Sequence, residues 1–472
     1  MMKTKLKKFT EFSQHILPHE ATYLSALYQF KDPEKCQIMA LVIANALSKN
    51  NSDSFNQSID KRKYSYIKKW INTKLAVIDV DLIIEWLMRL KHKVLTDAIT
   101  PAEEKEFLNY LIHYKKVDYN FQNLYELVKD YKPYLLVRMR YKDHQIVADF
   151  LKEYETHYLR AKRIEAKLYE ATTDITNQYS QNTTETKFWE KWLLKIFETV
   201  EIDGKNRYQA FILLAFMYTN YNENEKLKKI FDQIDGYFGQ GQMYSRRILS
   251  NYYASRVLKH SRKNELKKAE YYALLSIRQE NNDTLMYLNN LVAILLRNNK
   301  PKKAYDLCQA HIGLFNETHN YHQKFGFASN QIRILTELSK IVEAENYAKK
   351  TLKKYKSELL EHRWHHFFTS YINLLIMQEK YEEVLKLTGK YGLIAKEKTR
   401  REKSNYVPNI SWSISLSRYM EGKINAMKLL DEIKAPIEGA NHTKNQKQHM
   451  IKVIDKLSTN LPEPFSKLKS YL

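Results

Sequence analysis

The chain has 472 residues, enough for two helical regions or one continuous array, and its 44% hydrophobic and 28% charged residues exclude wholesale disorder. Only 10 Gly and 9 Pro occur, which removes the turn residues that hairpin-rich β folds and phosphate-cradling loops need and favours long helices. With 77 Lys and Arg against 54 Asp and Glu, the formal charge of +23 gives a positive field that attracts nucleic acid, acidic peptides or anionic surfaces, although the charge is dispersed rather than gathered in one block.

Cys36 and Cys308 are far apart, with no spacing that suggests a disulfide framework, a zinc site or a redox motif, so a reducing, cytoplasmic setting is expected. The opening MMKTKLKKFTEFSQHILPHEATYL is basic but lacks the apolar core and cleavage site of a secretory signal. The stretch from Ala76 to Leu90 is interrupted by Asp79, Asp81, Glu85 and Arg89, and no membrane span is expected anywhere.

Residues 1–175 form an expected helical N-terminal domain without a clear repeat. Within it, KRKYSYIKKW (Lys61 to Trp70) interleaves cations with aromatic rings. Lys61, Arg62, Lys63, Lys68 and Lys69 could contact phosphates while Tyr64, Tyr66 or Trp70 stacks on bases. The same string is also an amphipathic helix whose Tyr66, Ile67 and Trp70 pack inward. Leu82, Ile83, Trp86, Leu87 and Leu90 follow helical spacing. Thr100, Pro101 and Glu103 form a capping box that starts a helix leading into Phe107 and Leu108. From Asp143 to about Ala171 a long amphipathic helix carries Val147, Phe150, Leu151, Tyr154, Tyr158, Ala161, Ile164 and Leu168 on one side. The polar stretch ATTDITNQYSQNTTET, residues 171–186, is expected to end it, with a linker or turn at 176–186.

Phe188, Trp189 and Trp192 open the second region, 187–434, where a small residue recurs at Ala269, Ala304, Ala344, Val384 and Ala426. In the clearest unit Leu288, Leu291, Val292 and Leu295 line a first helix, Asn298 to Pro301 form the turn, and Ala304, Cys308 and His311 lie on a second helix. Tyr253, Val257, Asn264, Ala269, Ala273 and Ser276 match it before, and Phe368, Ile372, Leu375, Tyr381 and Val384 after. Over about residues 205–434 this pattern resembles the tetratricopeptide (TPR) repeat, departing from it by lacking the small residue of the first helix and the closing Pro in most repeats.

The resemblance implies an all-α fold: a right-handed α-solenoid of TPR-like helical hairpins, preceded by the non-repeating N-terminal region. A C-terminal capping helix and tail at 435–472, with Ile451, Val453, Ile454 and Leu457, would close it. It also implies a concave groove formed by the first helices, where register places Asn289, Arg333, His366, Asn373 and Arg418. Amides can pair with a peptide backbone and Arg with a carboxylate, so these residues suit an acidic or C-terminal peptide.

No catalytic constellation stands out. Gly236, Gly239 and Gly241 read GxxGxG between helices, which is the wrong order and context for a dinucleotide loop, and no GxSxG, HExxH or GxxxxGK[ST] occurs. His362 and His366 have the i, i+4 spacing of a chelating pair but lack a clear third ligand. Arg138 and His144, with five residues between them in VRMRYKDH, resemble the ribonuclease motif of HEPN-type all-α domains, which implies action on a ribose 2′-hydroxyl at a dimer interface. Met139 replaces the polar residue usual after that Arg. The expected function is a non-catalytic protein- or peptide-binding scaffold or adaptor needing no cofactor or metal. The alternatives are a nucleic-acid-binding or ligand-sensing regulatory protein and, third, a HEPN-like metal-independent ribonuclease. A homo-oligomer is compatible with each.

Overall fold

The computed structural model describes residues 6–48, 53–181, 185–401, 406–438 and 444–472. Among the described residues there are helices and no strands. None of these helices is long and apolar enough to cross a membrane. The chain divides into two compact units, Met1–Gln178 with Thr184–Lys259, and Tyr179–Thr183 with His260–Leu472.

The first unit runs through α1 (Lys7–Gln14), α2 (Pro18–Leu27), α3 (Pro33–Leu47), α4 (Lys61–Ile78), α5 (Val80–Leu95), α6 (Pro101–Ile112), α7 (Phe121–Val137), α8 (Tyr141–Gln181), α9 (Glu190–Glu198), α10 (Gly204–Asn220), α11 (Asn224–Gly239) and most of α12 (Arg246–Arg262). The second holds α13 (Leu266–Ser276), α14 (Thr284–Arg297), α15 (Pro301–Ala310), α16 (Ile312–Glu317), α17 (Tyr321–Glu337), α18 (Ile341–Lys354), α19 (Lys356–Glu361), α20 (Trp364–Met377), α21 (Tyr381–Lys390), α22 (Leu393–Lys398), α23 (Asn409–Met420), α24 (Ala426–Lys434), α25 (Lys444–Leu457) and α26 (Pro462–Leu468).

In the first unit, Leu87, Leu90, Phe107, Phe121, Val128, Tyr131 and Phe150 build one core from α5 to α8. The capping box at α6 is present: Thr100 N–H donates to Glu103 Oε2 at 3.1 Å and Glu103 N–H to Thr100 Oγ1 at 3.4 Å. Glu20 is fully buried and accepts from Leu17 N–H, Tyr244 OH and Arg246 Nε at 2.8, 2.6 and 2.7 Å, so α2 is held against the turn leading into α12. His19 adds to this docking, with Nε2 2.7 Å from Asp235 Oδ1 and Nδ1 2.8 Å from Tyr253 OH.

Two expectations for this unit need correction. Helix α8 continues ten residues past Ala171 to Gln181. Its apolar stripe persists through the buried Ala171 and Ile175, and Thr172 and Thr173 return their hydroxyls to the carbonyls of Leu168 and Tyr169, so the polar residues extend the helix. Residues 182–184 of the expected linker lie outside the described residues. Leu82 sits on the exposed side of α5, because the buried stripe passes through Val80, Leu87, Leu90 and Val94.

In the second unit, α14, α17, α20 and α23 pack successively, and each also packs on the helix that follows its turn: α15, α18, α21 and α24. The turns share one geometry. A left-handed residue, Asn264, Asn299, Ser339, Glu379 or Gly422, follows the first helix. The next amide returns to the carbonyl five residues back, as from Lys300 to Leu295, Lys340 to Leu335, Lys380 to Leu375 and Lys423 to Arg418, at 2.8–3.0 Å. These residues step by 35, 40, 40 and 43, in line with the repeat spacing of the sequence. Ala269, Ala304, Ala344 and Val384 are fully buried on the second helices. Ala426 is exposed: it opens α24, and Leu429, one turn later, is the buried residue.

Two buried carboxylates tie these second helices to the hairpin that follows. Glu270 on α13 accepts from Lys300, Lys303 and Asn298, and Glu345 on α18 accepts from Lys349 and Lys380 at 2.5 and 2.7 Å. Burial pushes the Glu345 carboxyl up, but the Lys349 and Lys380 bonds outweigh it and hold the group at about 2, below its usual 4.5. A depressed folded-state pKa stabilises above the unfolded value and is lost as the pH falls through the folded one. Glu345→Gln is therefore expected to cost ~1–3 kcal/mol at neutral pH. In urea unfolding followed across pH, its deficit against the wild type should shrink between about 4.5 and about 2. A deficit independent of pH would show that the ion pairs contribute nothing. Left-handed backbone is costly for Ser339 and Glu379, so Ser339→Gly and Glu379→Gly should each raise unfolding free energy by ~0.5–1 kcal/mol, additively in the double variant.

Candidate functional site

A cavity of about 680 Å³ opens among α17, α20, α25 and the residues Arg400, Val407 and Asn409 of the second unit. Helix periodicity explains what faces it. On α17, Ile332 and Leu335 enter the core, leaving Arg333, Thr336 and Glu337 toward the cavity. On α20, Phe368, Tyr371, Ile372 and Leu375 are buried, and His366, Thr369 and Asn373, at i, i+3 and i+7, form the wall. On α25, Met450, Ile454 and Leu457 enter the core, so His449, Lys452 and Lys456 face the cavity. Glu397 positions the last wall. It is buried and accepts from the amides of Ile410 and Ser411 at 3.1 and 2.7 Å, anchoring the start of α23 next to Asn409.

The lining is strongly unbalanced in charge. Arg333, Arg400, Lys452 and Lys456 face a single carboxylate, Glu337. Among the described residues neither Arg333 nor Lys456 forms an ion pair, and only Glu337 attracts them at longer range. Burial lowers the pKa of both, and Arg333 adds to the lowering of Lys456. Burial raises Glu337 despite Arg333 and Lys456. Burial, then Arg363, His365 and Arg400, push His366 down, and burial with Lys452 does the same to His449. His366 and His449 expose surface area, but to a concave wall that excludes much bulk water, and with both held below the usual 6.5 the two imidazoles are neutral near pH 7. Thr369 Oγ1, beside the same wall, is buried with no hydrogen-bond partner. The arrangement can hold an anion: the half-buried Arg333 has less water to lose on pairing, and it gains a short charge-assisted bond beside the exposed Lys452 and Lys456.

Three of the five groove residues, Arg333, His366 and Asn373, thus meet at one cavity. Asn289 lies apart. Its side-chain amide donates to the Gln323 carbonyl at 3.0 Å, and its own carbonyl accepts from Asn330 Nδ2 at 3.2 Å, joining α14 to α17. Gly326 permits this approach, since a Cβ there would collide with Arg363 Nη1 and Asn289 Nδ2. Arg418 pairs with Glu432 at 2.5 Å outside the cavity lining. Arg400, His449, Lys452 and Lys456 escaped the sequence reading, although the i, i+3, i+7 spacing of the last three, opposite Met450, Ile454 and Leu457, marks a polar face.

In the first unit, Lys61, Arg62, Lys68 and Lys69 are exposed on α4, and Lys63 pairs with Asp32 and Glu34 at 2.9 and 2.6 Å. Lys68 lies 5.1 Å from the Phe12 ring. Of the aromatic residues, Tyr64 is buried and bonded to the Asn56 carbonyl, Trp70 packs on Phe30, and Tyr66 is exposed beneath Lys35. Arg138 pairs with Asp97 at 2.7 Å and stacks on Tyr134, while His144 lies half-buried in the first turn of α8. His362 and His366 do not share a helix: Arg363 has φ +25°, α20 begins at Trp364, and His362 stacks on Tyr321. No group of three or more His, Cys, Asp or Glu side chains fit to hold a metal ion occurs among the described residues. No family model, curated protein or solved structure matches the chain.

Replacing Glu397 by Ala removes the acceptor of two buried amides. A loss of ~1–3 kcal/mol is expected, with faster hydrogen exchange at Ile410 and Ser411 as the local readout; protection equal to the wild type at both amides would contradict the anchoring role.

Proposed function

We propose that this protein is a non-catalytic binding protein whose second unit is a TPR-like array of helical hairpins that takes an acidic segment of a protein partner on its first-helix face. The observation that carries the reading is the convergence of Arg333, Arg400, Lys452 and Lys456 on one cavity with a single carboxylate. The repeated turns and the successive packing of α14, α17, α20 and α23 support the array. In this reading Arg333 and Lys456 pair with carboxylates of the bound segment, and Asn373 offers both an amide donor and an acceptor to its backbone. The neutral His366 accepts or donates one hydrogen bond and adds no charge.

A second reading rests on a different face. A groove of about 480 Å³ is rimmed by Lys349, Lys353, Lys356, Lys386 and Lys390 with one carboxylate, Glu383, beside the half-buried Tyr391, a combination that also suits the backbone and bases of a nucleic acid.

Titration of the full chain with a fluorescent Glu/Asp-rich peptide and its Gln/Asn counterpart tests the first reading. The acidic peptide should bind at least ~10-fold more tightly, and Arg333→Glu with Lys456→Glu should weaken it by a further ~10–100-fold. Equal binding of both peptides, or an unaffected double variant, would remove the proposal. Copurification with and without nuclease, at low and high salt, separates the readings: a protein retained after both treatments supports the first, and nucleic acid released by salt supports the second.

A further inference from the structure

The first unit contains a cavity of its own, about 670 Å³, within the ~300–1,000 Å³ range of small-molecule sites. The end of α4, the start of α5 and three interhelical turns meet there. Gly204 makes this close meeting feasible, donating its N–H to the Asp118 carbonyl at 3.2 Å where a Cβ would lie 3.1 Å from Tyr119 Cα. Gly241, with φ +74°, does the same beside Tyr23. The deep wall is apolar: Val80, Ile202 and Met243 are 5%, 3% and 4% exposed. The exposed rim carries both signs, Lys115 and Lys116 with Glu153 and Glu201.

Arg207 lies in this deep wall, 3% exposed. Other buried or half-buried arginines of the unit have carboxylate partners: Arg140 pairs with Glu104 and Asp143, Arg246 with Glu20 and Arg256 with Asp235. Arg207 forms no ion pair among the described residues. Its Nε donates to the Phe197 carbonyl at 3.1 Å, its guanidinium lies 4.7 Å from the Tyr237 ring centre, and its Nη2 is buried without a hydrogen-bond partner. Burial lowers its pKa against the weaker pull of Tyr237, Glu201 and Asp203. Asp118, on the same wall, is already engaged by Tyr110 OH at 3.2 Å and Asn120 N–H at 3.0 Å. A buried guanidinium without a carboxylate is costly, and a ligand anion removes that cost.

We propose that this cavity is a binding site for a small monocarboxylic acid with an apolar body, its carboxylate paired with Arg207 and its hydrocarbon packed on Val80, Ile202 and Met243. One guanidinium neutralises one carboxylate. A phosphate or dicarboxylate would leave charge unbalanced against the apolar wall. The site is independent of the second unit and of the function proposed for it.

Isothermal titration of the full chain with 4-phenylbutyrate, octanoate and 4-phenylbutyramide tests this. The acids should bind with Kd below about 1 mM and at least ~10-fold more tightly than the amide. Arg207→Gln should abolish that preference, and Val117→Trp, which fills the cavity and keeps the arginine, should weaken acid binding by ~10-fold or more. Arg333→Ala should leave acid binding unchanged, and bound acid should slow hydrogen exchange in residues 200–207. No acid binding at millimolar concentration, equal binding of acid and amide, or acid binding lost with Arg333 and kept without Arg207 would overturn the proposal. If Arg207→Gln does not fold, the acid–amide ratio and Val117→Trp decide.

Discussion

A helix that ends on a left-handed residue can close its last carbonyls with the amides of the turn and return the chain at once. That closure recurs at Asn264, Asn299, Ser339, Glu379 and Gly422 in the second unit, and at Asp97, Met139, Asn222 and Gly241 in the first. Because the turns are short, the following helix must lie directly against the one before it. Only small or well-shaped side chains fit at the closest approach, as Ala269, Ala304, Ala344 and Val384 do. The hydrophobic cores follow from this geometry, since each pair of helices leaves an apolar face that the next pair covers.

Charge is handled with the same economy in the interior. The buried carboxylates Glu20, Glu104, Glu270, Glu345 and Glu397 each accept at least two hydrogen bonds or ion pairs from cations, hydroxyls or backbone amides. In a chain of formal charge +23 the surplus is cationic, and most of it is solvated. The exceptions are informative: the half-buried Arg333 in one unit and the buried Arg207 in the other line cavities and form no ion pair among the described residues. A folded chain tolerates such groups at a cost in stability, and a bound anion offsets it. That logic, more than any motif, points to binding as the role of these cavities.

Much of this was legible residue by residue. The capping box at Thr100 started α6 because two reciprocal side-chain bonds are local chemistry. The apolar stripe from Val147 to Leu168 became the buried face of α8. Where the reading went astray, packing overrode a local cue. Polar residues after Ala171 stayed helical because Ile175 is buried and Gln178 and Asp174 bond to Tyr221 and Trp189. The His362 and His366 pair was broken by one positive φ at Arg363. Of the candidate site, Arg333, His366 and Asn373 were legible through repeat register, whereas the contribution of α25 was not, because a terminal helix has no repeat partner to fix which face it turns inward.

The sequence by itself determined where most helices form and which stripe of each is buried, because helical periodicity, capping and turn chemistry act over a few residues. Tertiary structure alone decided which polar faces share a cavity and which cations find carboxylates. Those outcomes depend on distances between residues over a hundred positions apart, such as Arg333 and Lys456 or Ile83 and Arg207, and only the packing of the intervening helices sets them.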